Sequence, residues 1–123
     1  MISYNVYNVV HMIGVVALFL ALGGLTAHAM AGGTRDTNPS RRWMVAWHGL
    51  GLLIILIGGF GMLARLGVMG MLPGWVWAKL VIWVVLGAAL MLVGRRPALG
   101  RPVWLLALVL GGLAAWLGIY QPF

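Results

Sequence analysis

The sequence predicts an all-α integral membrane protein, built as an antiparallel up-down bundle of four transmembrane helices. Hydrophobic residues make up 63% of its 123 residues and charged residues only 7%, whereas soluble domains are about 25% charged. The apolar residues also fall into four long runs, and a run of roughly 18 or more can span a bilayer. Because the connections between the runs are short, neighbouring helices should be antiparallel. We therefore interpret residues 1–123 as a single membrane domain.

Each predicted helix is bounded by turn-forming residues. The first apolar run is too long for a cleaved signal peptide, and no positive charge precedes it, so we expect a permanent helix. A polar loop at residues 31–40 ends in Pro39 and Ser40, which is a start signal for the next helix. A second loop, residues 94–102, holds two prolines and precedes the last run. The predicted helices are residues 6–30, 41–66, 75–93 and 103–120.

The net charge of +7 is best explained by membrane topology. Loops 31–40 and 94–102, with their flanks, hold six of the eight basic residues, and the opposite side holds only Arg65 and Lys79. The positive-inside rule therefore places these loops in the cytoplasm and both termini outside. We expect a bacterial-type inner membrane, with lipid headgroups rather than nucleic acid as the partners of the arginines.

Ionisable residues inside a span usually mark function, because they are costly in lipid. His11, His28, His48 and Lys79 qualify, and Arg65 lies at the outer end of the second helix. Residues spaced by three and four share the inward face of a helix in a left-handed bundle. The first predicted stripe is His11, Gly14, Leu18, Ala21, Leu25 and His28, and the second is His48, Gly51, Ile55, Gly58 and Met62.

The histidines allow a first placement for a haem. His28 and His48 lie at similar depth on two facing helices, and two such imidazoles could bind a haem b iron from both sides. Each histidine also has a simpler interpretation. His28 is close enough to the helix end to contact headgroups, while His48 and His11 could each form one interhelical hydrogen bond.

The positive charge of Lys79 has to be stabilised within an apolar helix. Its amine either reaches back to the interface along its apolar stem or needs an anion. The only acidic side chain, Asp36, is predicted on the opposite side. The anion would then come from outside the chain: a lipid phosphate, a haem propionate, another porphyrin carboxylate or an acid of a neighbouring subunit. Arg65 and His11 could share it.

Several function classes are disfavoured by what the sequence lacks. Without cysteine, the chain has neither a thiol nucleophile nor ligands for an iron–sulfur cluster. Proton pumps and cation-coupled transporters generally place Asp or Glu within the membrane, and none is predicted there. A zinc site needs three or four donors close together, and His11 is predicted to lie far from the other two histidines.

Three short segments resemble known families. They are residues 7–14 (YNVVHMIG) followed by Gly23 and Gly24, residues 73–80 (PGWVWAKL), and residues 41–43 leading to 58–60. They are similar to small four-helix bacterial membrane proteins, namely the haem-binding protoporphyrinogen oxidase of the HemJ type and the copper-resistance D domain. The resemblance implies haem b as cofactor and His11 with Lys79 as the functional pair, near the outer face.

Two functions follow as hypotheses. The first is a haem b protein of redox or porphyrin chemistry, with the haem either at His28 and His48 or, as we favour, at His11 and Lys79. The second is a non-catalytic accessory subunit of a larger respiratory or photosynthetic membrane complex, with other subunits or further copies of itself as partners. A small transporter is the weakest alternative, because the membrane carboxylates are missing.

Overall fold

The computed structural model describes residues 2–123, and this part of the chain contains four long α-helices and no strand. Each helix is long and apolar enough, by length and composition, to cross a membrane. Two short 3-10 turns, Arg35–Thr37 and Pro97–Leu99, lie in the loops. The helices are α1 (Tyr4–Met30), α2 (Arg41–Leu66), α3 (Gly74–Arg95) and α4 (Gly100–Tyr120).

Local hydrogen bonds explain where α1 and α2 begin and end. The Ser3 hydroxyl accepts a hydrogen bond from the Val6 amide, which caps α1. Gly67 ends α2 in the left-handed conformation, at φ 75°, which glycine adopts without steric cost. The side chain of Ser40 forms no capping hydrogen bond. Instead, the Asn38 side-chain oxygen accepts from the Ser40 amide at 3.0 Å, so the turn before α2 is organised by Asn38.

Helix α4 begins at Gly100, three residues before the predicted start. The 3-10 turn Pro97–Leu99 leads directly into it, and Pro102 falls in its first turn, where a missing amide proton breaks no helical hydrogen bond. Gly100 is buried against α1, since a Cβ built on it would lie 3.0 Å from the Thr26 carbonyl oxygen. The sequence therefore predicted this helix start three residues too late, because Pro102 was assigned to the loop although it lies in the first turn of α4.

The main packing contact of the fold is a seam between α1 and α2, built on glycines. A Cβ built on Gly14 would lie 2.6 Å from the Ile55 amide nitrogen, and one on Gly51 would lie 2.8 Å from the Leu18 amide nitrogen. A Cβ on Gly58 would collide with the backbone of His11. The two backbones touch at these points, as small residues allow in helix contacts within lipid.

The predicted inward faces of α1 and α2 agree with the observed burial. Gly14, Leu18, Ala21 and Leu25 are buried on α1, and His48, Gly51 and Gly58 are buried on α2. The spacing did not identify Leu22 and Thr26, which are also fully enclosed. Leu22 belongs to a core that also includes Ile82, Leu86, Ala89, Val93, Val103, Ala107 and Leu117.

Candidate functional site

A cavity of about 500 Å³ lies between the four helices, at the end where α1 and α3 begin and α2 and α4 end. We call this end of the bundle the terminal end and the space the terminal-end cavity. Its volume falls within the range of small-molecule and cofactor sites, roughly 300–1,000 Å³. The walls are mainly apolar and aromatic, as such sites usually are. Its aromatic and polar lining residues are Tyr4, Asn8, His11, Phe19, Phe60, Trp75, Lys79, Trp83 and Gln121.

His11 lines the cavity in a fixed tautomer. Its Nδ1 lies 2.9 Å from the Ile55 carbonyl oxygen. Because a carbonyl can only accept, Nδ1 carries the proton and donates it, and the neutral ring keeps an unprotonated Nε2. Histidines that bind a metal typically donate their other N–H to a group of this kind. The ring has room because Gly59 lies beside it, where a Cβ would be 3.4 Å from Nδ1.

Lys79 lines the same cavity from α3 and is half-buried. Its Nζ lies against α4, where a Cβ built on Gly118 would be only 3.0 Å away. Asp36 is in the loop at the opposite end of the bundle, and within residues 2–123 Lys79 forms neither a hydrogen bond nor an ion pair. The cavity therefore contains a cation for which the described chain supplies no anion.

Sequence reasoning missed several residues that complete the cavity. Asn8 lies three residues before His11, on the same helical face. Trp75 and Trp83 lie four residues before and after Lys79, so a helical wheel centred on Lys79 would have found both. Trp83 also braces the wall, because its indole Nε1–H donates to the Leu52 carbonyl oxygen at 3.0 Å and so connects α3 to α2.

His48 lies outside the cavity lining, in the core between α2 and α3. It is only 3% exposed, and its Nε2–H donates to the Leu86 carbonyl oxygen at 3.2 Å. This is the interhelical hydrogen bond that the simpler interpretation of His48 expected, and the bond from His11 to the Ile55 carbonyl oxygen is of the same kind. The buried ring therefore has a structural role that needs no cofactor.

His28 lies at the other end of the bundle, where it contacts the loop 31–40. Its Nε2 lies 3.0 Å from both the Thr34 carbonyl oxygen and the Thr37 hydroxyl. His28 lines the small pocket at this end and His48 does not, and neither lines the terminal-end cavity, so their pairing around a haem stays a prediction. Arg65 is exposed on the last turn of α2 and is absent from the cavity lining.

Of the predicted site residues, the structure thus brings His11 and Lys79 together and leaves His28, His48 and Arg65 elsewhere. Within residues 2–123 no three His, Cys, Asp or Glu side chains form a cluster that could hold a metal ion on their own. No family model, curated protein or solved structure matches the chain. The resemblance to HemJ-type and copper-resistance proteins therefore stays a prediction from three short motifs, and the function has to be argued from the cavity itself.

Proposed function

We propose that this chain is a small integral membrane protein that binds haem b in the terminal-end cavity. His11 would hold the haem iron through Nε2, and Lys79 would hold a carboxylate of the porphyrin. The observation that carries this proposal is that His11 and Lys79 line one cavity of about 500 Å³. When bound, haem supplies one-electron redox chemistry at its iron.

The donor groups of the cavity fit this cofactor. The hydrogen bond from Nδ1–H of His11 to the Ile55 carbonyl oxygen orients the ring and leaves Nε2 available. A porphyrin carboxylate would supply the anion that Lys79 lacks, and a charge-assisted contact of this kind is strong where water is excluded. The aromatic side chains offer flat apolar surfaces to a porphyrin. Gly111 and Gly118 line the cavity on α4 without a side chain that would fill it.

The remaining cavity residues would hold the site in shape. Trp83 connects two of the walls through its bond to the Leu52 carbonyl oxygen. Leu18, Ile82 and Leu86 form part of the buried lining, and they would keep water from the iron side of a bound porphyrin. Asn8 and Gln121 lie nearer the helix ends and can hydrogen-bond to polar edges of a ligand.

We further propose that the helices cross an inner membrane as an antiparallel up-down bundle, with loops 31–40 and 94–102 in the cytoplasm and both termini outside. The order of the seam contacts supports the antiparallel arrangement of α1 and α2: Tyr7 meets Gly61, His11 meets Gly58, and Gly14 meets Ile55.

The proposed orientation can be tested by cysteine labelling. The sequence contains no cysteine, so a single introduced cysteine reports the side of the membrane on which it lies. An impermeant maleimide should label Met69→Cys in intact cells and Ala98→Cys only after lysis; the reverse pattern would invert the proposed orientation.

The haem proposal is tested by a reduced-minus-oxidised absorption spectrum of the detergent-purified protein, produced with an ample haem supply. We expect Soret and α bands in the wild type, their loss in His11→Ala, and weaker haem retention in Lys79→Met than in Lys79→Arg. The matched control is His28→Ala, which changes the same residue type outside the cavity and should keep the bands.

Two outcomes contradict the proposal in different ways. Bands that survive His11→Ala but disappear in His48→Ala would move the haem to the other predicted placement. A wild-type protein that is folded but colourless would exclude haem, and the accessory-subunit hypothesis would take its place. Purification in a mild detergent followed by native mass measurement would then look for the partner subunits.

A further inference from the structure

A second, smaller pocket lies at the opposite end of the bundle, which we call the loop end. It is formed by the last turn of α1, the loop 31–40, the start of α2 and the end of α3. Its volume of about 20 Å³ admits one small polar group. We call it the loop-end pocket, and its charged lining residues are Arg35 and Arg41.

The two arginines converge on one point of α3, at Gly94. A Cβ built on Gly94 would lie 3.6 Å from Arg41 Nη2 and 3.9 Å from Arg35 Cδ. Arg41 belongs to the first turn of α2 and Arg35 to the 3-10 turn in the preceding loop. Two side chains from different elements therefore pass close to the same glycine.

No ion pair within residues 2–123 neutralises these two arginines. Within residues 2–123 neither guanidinium forms a hydrogen bond or an ion pair. Asp36 is the only acidic side chain in the sequence, and it is exposed. The nearby Arg95, Arg96 and Arg101 are also exposed and add positive charge. Bringing like charges together costs free energy, so the arrangement favours an anion from outside the chain.

The loop that carries Arg35 is held in place by hydrogen bonds. His28 Nε2–H donates to the Thr34 carbonyl oxygen, and the Thr37 hydroxyl accepts from the Thr34 amide at 2.9 Å. The His28 ring lies directly over Gly33, where a Cβ would collide with it. The backbone that carries Arg35 is thus held beside the pocket, although the Arg35 side chain itself is exposed, and an ordered backbone lowers the entropy lost when a ligand binds.

We propose that the loop-end pocket binds a phosphate group through Arg35 and Arg41, and that the phosphate belongs to an anionic phospholipid of the adjacent leaflet. The guanidinium fork matches phosphate oxygens in charge and geometry. Because α1 and α3 end and α2 begins at the pocket, a lipid headgroup reaches it at the interface if the helices span the membrane. Basic pockets between transmembrane helices recognise lipid phosphates in this way. This inference does not depend on haem binding.

The test is native mass spectrometry of the detergent-purified full-length chain after addition of cardiolipin, phosphatidylglycerol or phosphatidylcholine. The double variant Arg35→Gln/Arg41→Gln removes the proposed clamp. The control Arg95→Gln/Arg96→Gln removes the same charge at the same end from two arginines that do not line the pocket. Both variants lose the diffuse attraction of two positive charges, and only the first loses the charge-assisted hydrogen bonds of the pocket. We therefore expect retention of the anionic lipids to fall at least about tenfold further in the first variant than in the control. Circular dichroism spectra of all three proteins check that the helices are intact.

Each other outcome overturns part or all of the proposal. Equal losses in both double variants would show that a diffuse positive field, not the pocket, attracts the lipid. Equal retention of anionic and zwitterionic lipids by the wild type would contradict the proposed preference for an anionic phospholipid. In a separate measurement, millimolar inorganic phosphate is added in place of the lipid. If that ion binds through Arg35 and Arg41 while the anionic lipids do not, the pocket is a phosphate site but its lipid source is wrong.

Discussion

The α1–α2 seam and the terminal-end cavity both depend on glycine, but they use it in opposite ways. Along the seam, the missing Cβ atoms of Gly14 and Gly51 let two backbones touch. In the cavity, the glycines face side chains instead: Gly111 faces the Phe19 ring and Gly118 faces the Lys79 amine. The first arrangement removes space between helices, and the second preserves space inside the bundle.

The difference shows that glycine content alone does not identify an interface. A glycine that meets backbone cannot be enlarged without moving a helix, because backbone atoms have no alternative rotamer. A glycine that meets the far end of a side chain leaves the neighbour able to move. The seam should therefore be the rigid part of the fold, and the cavity the part that accommodates a ligand.

The largest effect is expected for Gly14→Ala in the seam. The added methyl would lie 2.6 Å from the Ile55 amide nitrogen, and overpacking of this kind typically costs about 1–3 kcal/mol. The free energy of unfolding in mixed micelles, followed by circular dichroism, measures the loss. Gly23→Ala is the matched control in the same helix, because a Cβ there meets nothing within 4 Å. Equal stability of the two variants would contradict the rigid-seam interpretation.

A smaller loss is expected when the brace of the cavity wall is removed. Trp83→Phe keeps an aromatic ring but deletes the N–H that donates to the Leu52 carbonyl oxygen. Interhelical hydrogen bonds in membrane proteins are worth about 0.6 kcal/mol on average, so unfolding should become easier by about that amount. Trp104→Phe serves as the control, since Trp104 is 41% exposed. If both variants lose the same stability, the indole hydrogen bond does not hold the wall.

The smallest effect on stability is expected for Gly111→Ala. Its methyl would lie 2.9 Å from Phe19 Cζ, and that ring can turn away into the cavity. We expect the free energy of unfolding to change by no more than about 0.5 kcal/mol, since alanine also favours the helix by up to about 1 kcal/mol. The same unfolding assay checks this. A loss as large as that of Gly14→Ala would erase the distinction between seam and cavity.

Hydropathy predicted the four helices because each apolar run is long and is separated from the next by turn formers. The spacing of three and four also identified the buried stripe from Gly14 to Leu25. The start of α4 was less predictable, because a 3-10 turn and a proline in the first helical turn look like loop in sequence. Leu22 and Thr26 were missed because α1 contacts α4 as well as α2, which buries a wider face than one stripe.

The candidate site was harder to predict than the helices. Lys79 stood out because a charge inside an apolar run is rare. Choosing among the three histidines required knowing which neighbour each ring meets, and this depends on the rotation of each helix. Since nearly every face is apolar, hydropathy contains little information on that rotation. The placement of His48 against α3 rather than against a ligand followed only from the three-dimensional contacts.

Three ring N–H groups, those of His11, His48 and Trp83, donate to main-chain carbonyls of a neighbouring helix. Every residue type presents the same carbonyl, so the acceptor survives any substitution at Ile55, Leu52 or Leu86 that preserves the helix. A saturation mutagenesis scan should therefore find the donor positions restricted in residue type and the acceptor positions limited only by size. A hydrogen bond between a side chain and a main-chain carbonyl creates no need for paired substitutions. Co-variation between related sequences would therefore not detect these contacts between the helices.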